Sequence, residues 1–145
     1  LYLYKNPKRT QDAIYSGAVA LVSFFIVTPF SVKLEKDIPE IEKKIVLDEF
    51  HYNRGDTSEN LIRSSNSRIK YKNHNFKVFN APKIIKKGDV IIESSEYGHY
   101  AGELMIAKID MENTGKSNVV GRITEEEIFL VDCIKAWQKF CFIES

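Results

Sequence analysis

Twenty consecutive positions from Ala13 to Val32, AIYSGAVALVSFFIVTPFSV, carry no charge. A helix needs about 20 apolar residues to cross about 30 Å of hydrocarbon, so the run predicts a transmembrane helix over 13–32. A core helix would show a polar face, and a cleaved signal peptide would have a shorter apolar region ending in a small-residue cleavage site. Neither pattern is seen here. Pro29 falls in the last turns of the span, where it is tolerated.

Beyond Val32 the pattern breaks into short runs that mix β-branched or aromatic residues with alternating polar ones. These predict strands over 43–50 (KKIVLDEF), 67–72 (SRIKYK), 75–80 (NFKVFN), 88–95 (GDVIIESS), 102–110 (GELMIAKID) and 121–132 (GRITEEEIFLVD). Turn chemistry separates them in NRGD, KNHN, KKGD, EYGH and NTGK. The expected fold class is mainly β and mostly antiparallel, behind one amino-terminal transmembrane helix. CIKAWQKFCF suits a final strand or a short helix, with Trp137 in the core, and the Ser- and Asn-rich stretch 53–68 is expected to be a mobile loop.

The chain has 145 residues, 43% hydrophobic, which leaves room for one domain of about 100 residues beside the span. Its net charge of +1 gives no concentrated positive surface, so nucleic acid is not an expected partner. Lys5, Lys8 and Arg9 precede the span and favour the cytoplasmic side. The expected division is therefore a cytoplasmic segment 1–12, a transmembrane helix 13–32 and an extracytoplasmic β domain 33–145, in a single-pass cell-membrane protein. The first residue is Leu, which suggests a trimmed amino terminus.

Candidate chemistry is sparse. His51, His74 and His99 are scattered over expected loops and strand ends, as solvated side chains. Cys133 and Cys141 lie eight apart; on a helix their α-carbons would be about 12 Å apart, too far for a disulfide, and two buried thiols are the expectation. No metal-ligand spacing and no cofactor motif accompany them. Arg54-Gly55-Asp56 reads as a turn.

One longer pattern stands out. An apolar span, then RGD, then GDVI, then the frame Asn113-Thr114-Gly115-Lys116-Ser117-Asn118 ending at Gly121 resembles the type I signal peptidases, membrane-anchored proteases with a Ser/Lys dyad. In that likeness Lys108, Ile109, Asp110 and Met111 occupy the opening of the family's last motif. Thr114 and Ser117 take its two serine places, Lys116 the aspartate, Asn118 the arginine and Gly121 the glycine, while Gly88 and Asp89 match an earlier Gly-Asp. Upstream, Pro29-Phe30, Pro39, Phe50, Tyr52 and Arg54-Gly55-Asp56 fall in the family's register.

The resemblance implies a lost active site. The nucleophile's place is Lys36 or Asp37, and the general base's place, seven before Gly88, is Ala81. A Ser/Lys dyad needs a hydroxyl and a neutral amine within hydrogen-bond reach, and neither is present. It therefore implies a non-catalytic, signal-peptidase-like protein with a peptide-binding cleft at Asp37, Ile38, Pro39, Ala81 and Pro82, framed by Gly88, Asp89, Asp110, Thr114, Ser117 and Gly121. Inactive relatives of this kind in Gram-positive bacteria are pilus-assembly factors, so the implied role is chaperoning a secreted or pilin protein with a sortase as partner. The alternative is a divergent active protease using Ser31 with Lys33, or a serine of the 58–67 loop.

Overall fold

The computed structural model describes residues 26–54, 60–96 and 100–145. Among the described residues nine strands lie in the order β1 (Val27–Leu34), β2 (His51–Tyr52), β3 (Leu61–Ser64), β4 (Ile84–Ile85), β5 (Asp89–Ile92), β6 (Leu104–Ala107), β7 (Met111–Glu112), β8 (Asn118–Ile123) and β9 (Lys139–Glu144). Between them sit two short helices, α1 (Glu40–Val46) and α2 (Asn66–Lys70), and a 3-10 segment, Glu125–Cys133. Seven strands form one sheet, β2-β9-β1-β8-β5-β6-β3, and β4 and β7 pair in a separate ribbon. The edge strands of the large sheet meet where the Arg54 amide donates to the Arg63 carbonyl at 2.9 Å. The result is a nearly closed, barrel-like β fold. Its pairings are antiparallel except β1–β9, which is parallel from Val27↔Lys139 to Val32↔Glu144.

Side chains of a strand alternate between its two faces, and both faces of this sheet are apolar over β5 and β6. Inward, Phe30 and Val32 of β1, Val90 and Ile92 of β5, Leu104 and Ile106 of β6 and Phe140 and Phe142 of β9 form the main core. Phe30 sits edge-on to Phe140, with ring centroids 6.1 Å apart. Outward, Ile91, Met105, Ala107 and Val119 form a second apolar cluster with Ile85, and Leu61 and Met111 pack against it. The β4/β7 ribbon therefore covers part of the outer face, which is why Val90–Ile92 and Leu104–Ala107 are uninterrupted apolar runs.

Several sequence expectations are corrected here. Residues 27–32, the last part of the expected membrane span, are strand β1, with Phe30 and Val32 fully buried among the β9 aromatics. Residues 13–25 of that span and the segment 1–12 lie outside the described residues. No helix among the described residues is long and apolar enough to cross a membrane, which overturns the single-pass localisation. Val27–Leu34 thus belongs to the large sheet.

Residues 43–50 are not a strand: Glu40–Val46 is a helix that follows Pro39, with Glu40 and Glu42 in its first turn and Lys43 and Lys44 in its last, complementing the helix dipole. Ile41 and Ile45, four apart, face the core together. Residues 67–72 are largely helix α2, whose Ser67 hydroxyl donates to the Gly102 carbonyl. The stretch 75–80 has no ladder; the Phe79 and Asn80 amides donate to Asn118 Oδ1 at 2.8 and 3.1 Å, and Phe76 N–H to Ser95 Oγ at 2.7 Å. Side chains there replace a neighbouring strand.

The strand expected over 121–132 is β8 followed by the 3-10 segment, which places Val131 in the core. Within 53–68, Leu61–Ser64 is strand β3 rather than loop. CIKAWQKFCF ends in strand β9, while Trp137 is 51% exposed and stacks on Tyr52 at 5.8 Å rather than entering the core. His51 is buried against Phe140 and Phe142, contrary to the expectation of a solvated side chain, whereas His74 is exposed. His99, Gly55 and Asp56 lie outside the described residues. Both cysteines are free thiols, but Cys133 is exposed and Cys141 half-buried.

Candidate functional site

The outward-facing positions of three neighbouring strands floor a cleft of about 280 Å³: Leu61 and Arg63 from β3, Met105 from β6, and Ile91 with Glu93 from β5 and its end. Its far wall is the ribbon and the loop after it, from Met111 to Ser117, and Tyr100 stands at the edge. The volume lies just below the range of small-molecule sites, about 300–1,000 Å³, which suits a single ring-sized ligand.

The loop is held by its own side chains. Asn113 Oδ1 accepts from the Ser117 amide at 3.0 Å, while Asn113 Nδ2 donates to the Ser117 and Pro82 carbonyls, both at 2.9 Å. Lys116 sits at φ 52°, in the left-handed region, where the turn reverses. Ser117, thus fixed, donates from Oγ to Glu93 Oε2 at 3.1 Å.

Glu93 is the centre of the polar end. It is 7% exposed, and its Oε1 is buried with no hydrogen-bond partner among the described residues. An unsatisfied buried acceptor costs about 1–3 kcal/mol, so such groups mark strain or a place where a ligand binds. Burial pushes the Glu93 carboxyl above the usual carboxylate range; the Ser117 hydroxyl pulls it down, the nearby Glu103 carboxylate raises it, and Arg63 lowers it. Glu103 is fully buried and takes the Arg63 guanidinium through two bonds, Nε–Oε1 at 3.3 Å and Nη2–Oε2 at 2.9 Å. Arg54 approaches the same carboxylate at 3.7 Å. Arg63 and Arg68 flank the Tyr100 ring, at 5.1 and 4.9 Å from its centre. Arg63 and Arg54 thus share the Glu103 carboxylate and Arg68 joins Arg63 at the Tyr100 ring, while the exposed Glu112 lies on the opposite rim.

The residues singled out in the sequence divide among several places. Thr114 and Ser117 line the cleft. Gly88, Asp89 and Asp110 build a different turn: Gly88 sits at φ 92°, Asp89 Oδ2 accepts from the Lys86 amide and Asp110 Oδ1 from the Lys87 amide, each at 2.8 Å. Gly121 lies against β1, where a Cβ would meet Val32 Cγ2 at 2.9 Å and the Lys33 carbonyl at 3.0 Å. Lys36 and Asp37 are exposed in the turn after β1, Ile38 packs on the core and Pro39 precedes α1. Ala81 and Pro82 lie half-buried in the segment before β4. None of Asp37, Ile38, Pro39, Ala81 and Pro82 lines the cleft; Pro82 only supports its wall through Asn113. Ser31, the alternative nucleophile, is bound through its amide and hydroxyl to the Glu127 carboxylate at 2.6 and 3.0 Å. Among the described residues no group of three or more His, Cys, Asp or Glu could hold a metal ion.

Arg63, Glu93, Tyr100 and Glu103 were not singled out from the sequence. Their signal was faint: Glu93 continues the alternation of the apolar run DVII at an outward position, and Arg63 does the same in LIRS.

Residues 28–143 match the family described as 6-phospho-N-acetylmuramidase, C-terminal. Among solved structures, that of an uncharacterized B. cereus protein is 36% identical, with a TM-score of 0.77 over 81% of this chain and 34% of that one. A conserved protein of unknown function from a locus in Enterococcus faecalis is 22% identical, with a TM-score of 0.67 over 82% of this chain and 30% of that one, and shows the fold alone. No curated protein matches. The chain thus spans about a third of the length of the solved structures it resembles.

These matches overturn the likeness to type I signal peptidases, and with it the roles of pilus-assembly factor and divergent signal peptidase. The spacing that carried the likeness has structural causes here: a buried strand at Pro29-Phe30, a turn at Gly88-Asp89, and a loop clasped by Asn113. The family match covers most of the chain, and the protein belongs to the 6-phospho-N-acetylmuramidase C-terminal family.

Proposed function

We propose that this domain serves a sugar-processing protein of the muramidase type, and that the cleft on the outer sheet face holds one phosphorylated N-acetylated sugar residue. The observation that carries the reading is the buried Oε1 of Glu93, without a partner among the described residues, in a cleft of single-ring size that Arg63 also lines. Leu61, Ile85, Ile91 and Met105 offer an apolar floor for the C–H face of a pyranose, and Tyr100 an aromatic edge. Thr114, Ser117 and Glu93 offer hydrogen bonds to its polar rim. The Arg63 and Arg68 guanidiniums beside Tyr100 supply the positive field that a phosphate ester requires, since arginine suits phosphate geometry.

The likeness to a phospho-muramidase family supports the choice of sugar. Within a longer protein such a domain would position the substrate for chemistry performed alongside it, because orientation alone lowers a barrier substantially. Calorimetry of the full chain tests the reading with N-acetylmuramic acid 6-phosphate and with N-acetylmuramic acid. The phosphorylated sugar should bind at least about tenfold more tightly, a difference of about 1.4 kcal/mol. Equal affinity for the two, or no binding of either, would reject it.

A further inference from the structure

We propose that Glu93 Oε1 is the subsite for the acetamido group of the bound sugar, with the carboxyl acting as a hydrogen-bond donor to the acetamido carbonyl. The inference rests on the cleft reading above and adds to it which atom of the protein reads which group of the ligand.

Geometry leads to this assignment. Oε2 is already engaged by the Ser117 hydroxyl, which the Asn113 clasp holds in place, and this leaves Oε1 as the carboxyl oxygen to be satisfied. Oε1 is buried and has no partner among the described residues. Two neighbouring charges face this group from other elements: Arg63 from β3, and Glu103 just before β6, already joined to each other. The β4 strand contributes only Ile85 to the cleft, and β7 the exposed Glu112 at the rim. Lys116 and Glu96 pair with each other in solvent, at 3.2 Å.

A neutral carboxyl in this position has a proton on Oε1 and no acceptor for it among the described residues. An amide carbonyl is a strong acceptor without charge, whereas a phosphate oxygen placed here would also face the Glu103 carboxylate. Burial, which favours the neutral form of Glu93, agrees with this division of the cleft: acetamido at Glu93, phosphate toward Arg63 and Arg68.

The protonated form is then the form that binds, so affinity falls as pH rises through the ionisation of Glu93. The phosphate of the ligand itself titrates near pH 6, so the readout is a ratio between proteins that share that ligand. Glu93→Gln keeps the shape and a permanent N–H donor. In calorimetry of N-acetylmuramic acid 6-phosphate binding to the full chain from pH 5 to 8.5, the affinity of Glu93→Gln relative to wild type should rise with pH. The variant should bind about tenfold more tightly at pH 8.5. Glu93→Ala should bind about tenfold more weakly than wild type at pH 5, with thermal melts confirming that both variants fold.

Buffers of different ionisation enthalpy give a second readout: near neutral pH the wild type takes up more protons on binding than Glu93→Gln. An affinity ratio that stays constant with pH, or equal proton uptake, would overturn this proposal while leaving the cleft reading intact. Absence of binding at every pH would overturn both.

Discussion

Asn113 clasps Ser117 at both ends, accepting from its amide at 3.0 Å and donating to its carbonyl at 2.9 Å, and so closes a five-residue loop with a side chain. The same amide group reaches the Pro82 carbonyl, tying the loop to the segment before β4. The polar stretch NTGKS is therefore a wall of the cleft, and Ser117 meets Glu93 because Asn113 holds it there.

Replacing Asn113 tests that relation. Asn113→Asp keeps the acceptor but sets a carboxylate oxygen against two carbonyls, and should cost about 2 kcal/mol in urea denaturation. Sugar binding should weaken with it. A variant as stable as wild type would mean that the clasp does not hold the loop.

Half-buried Arg63 pairs with Glu103, which is fully enclosed. Removing the carboxylate leaves guanidinium groups without their counter-charge, so Glu103→Ala should destabilise by about 3 kcal/mol. Double replacement, Arg63→Met with Glu103→Leu, should recover a large part of that loss, because an apolar pair of similar volume avoids the desolvation of both charges. Chemical denaturation of the two variants checks the order.

Phe30 distinguishes a strand from a membrane helix. It is fully buried against Phe140 and Phe142, with centroids 6.1 and 6.0 Å away. Phe30→Ala should cost about 3–5 kcal/mol, with a lowered melting temperature of the β domain. A lipid-facing Phe would leave that melting temperature unchanged.

His51 gives the fold a pH dependence of known sign. Burial between aromatic rings lowers its pKa, while the bond to the Val46 carbonyl and the charge of Asp48 pull it up. The folded protein therefore holds fewer protons at this site than the unfolded chain, and stability falls as pH drops from about 6.5 through the lowered value. Glu42 and Glu93, whose carboxyls burial pushes up, act oppositely: they lose stability as pH rises from about 4.3 through their raised values. Comparing wild type with His51→Phe cancels those contributions. On going from pH 7.5 to 5 the wild type should lose more stability, or gain less, than the variant, measured by urea titration at each pH.

Much of the sheet can be read along the chain, and its failures have physical causes. The strands expected over 88–95 and 102–110 hold DVII and LMIA, largely apolar runs bounded by turn residues, and each is a strand, whereas β8 begins at Asn118, before the strand expected over 121–132. VTPFSV was indistinguishable from a helix by hydrophobicity alone, because a strand between two others and a membrane span are both uncharged runs. LIRS was hidden by its polar neighbours, and its Leu61 and Arg63 face the cleft rather than the core. EIEKKIV failed for the reverse reason, since its helical spacing of Ile41 and Ile45 begins before the segment that looked like a strand. The site was the least legible part. Arg63, Glu93, Glu103 and Ser117 come from four separate stretches of sequence and share no motif; only strand pairing brings them together.

The most direct test of the central claim is to map where N-acetylmuramic acid 6-phosphate binds, by amide and methyl chemical-shift changes in the full labelled chain. Shifts should concentrate at Arg63, Ile91, Glu93, Met105, Asn113 and Ser117, around the cleft on the outer sheet face. Shifts clustered on another surface, or none at saturating sugar, would contradict it.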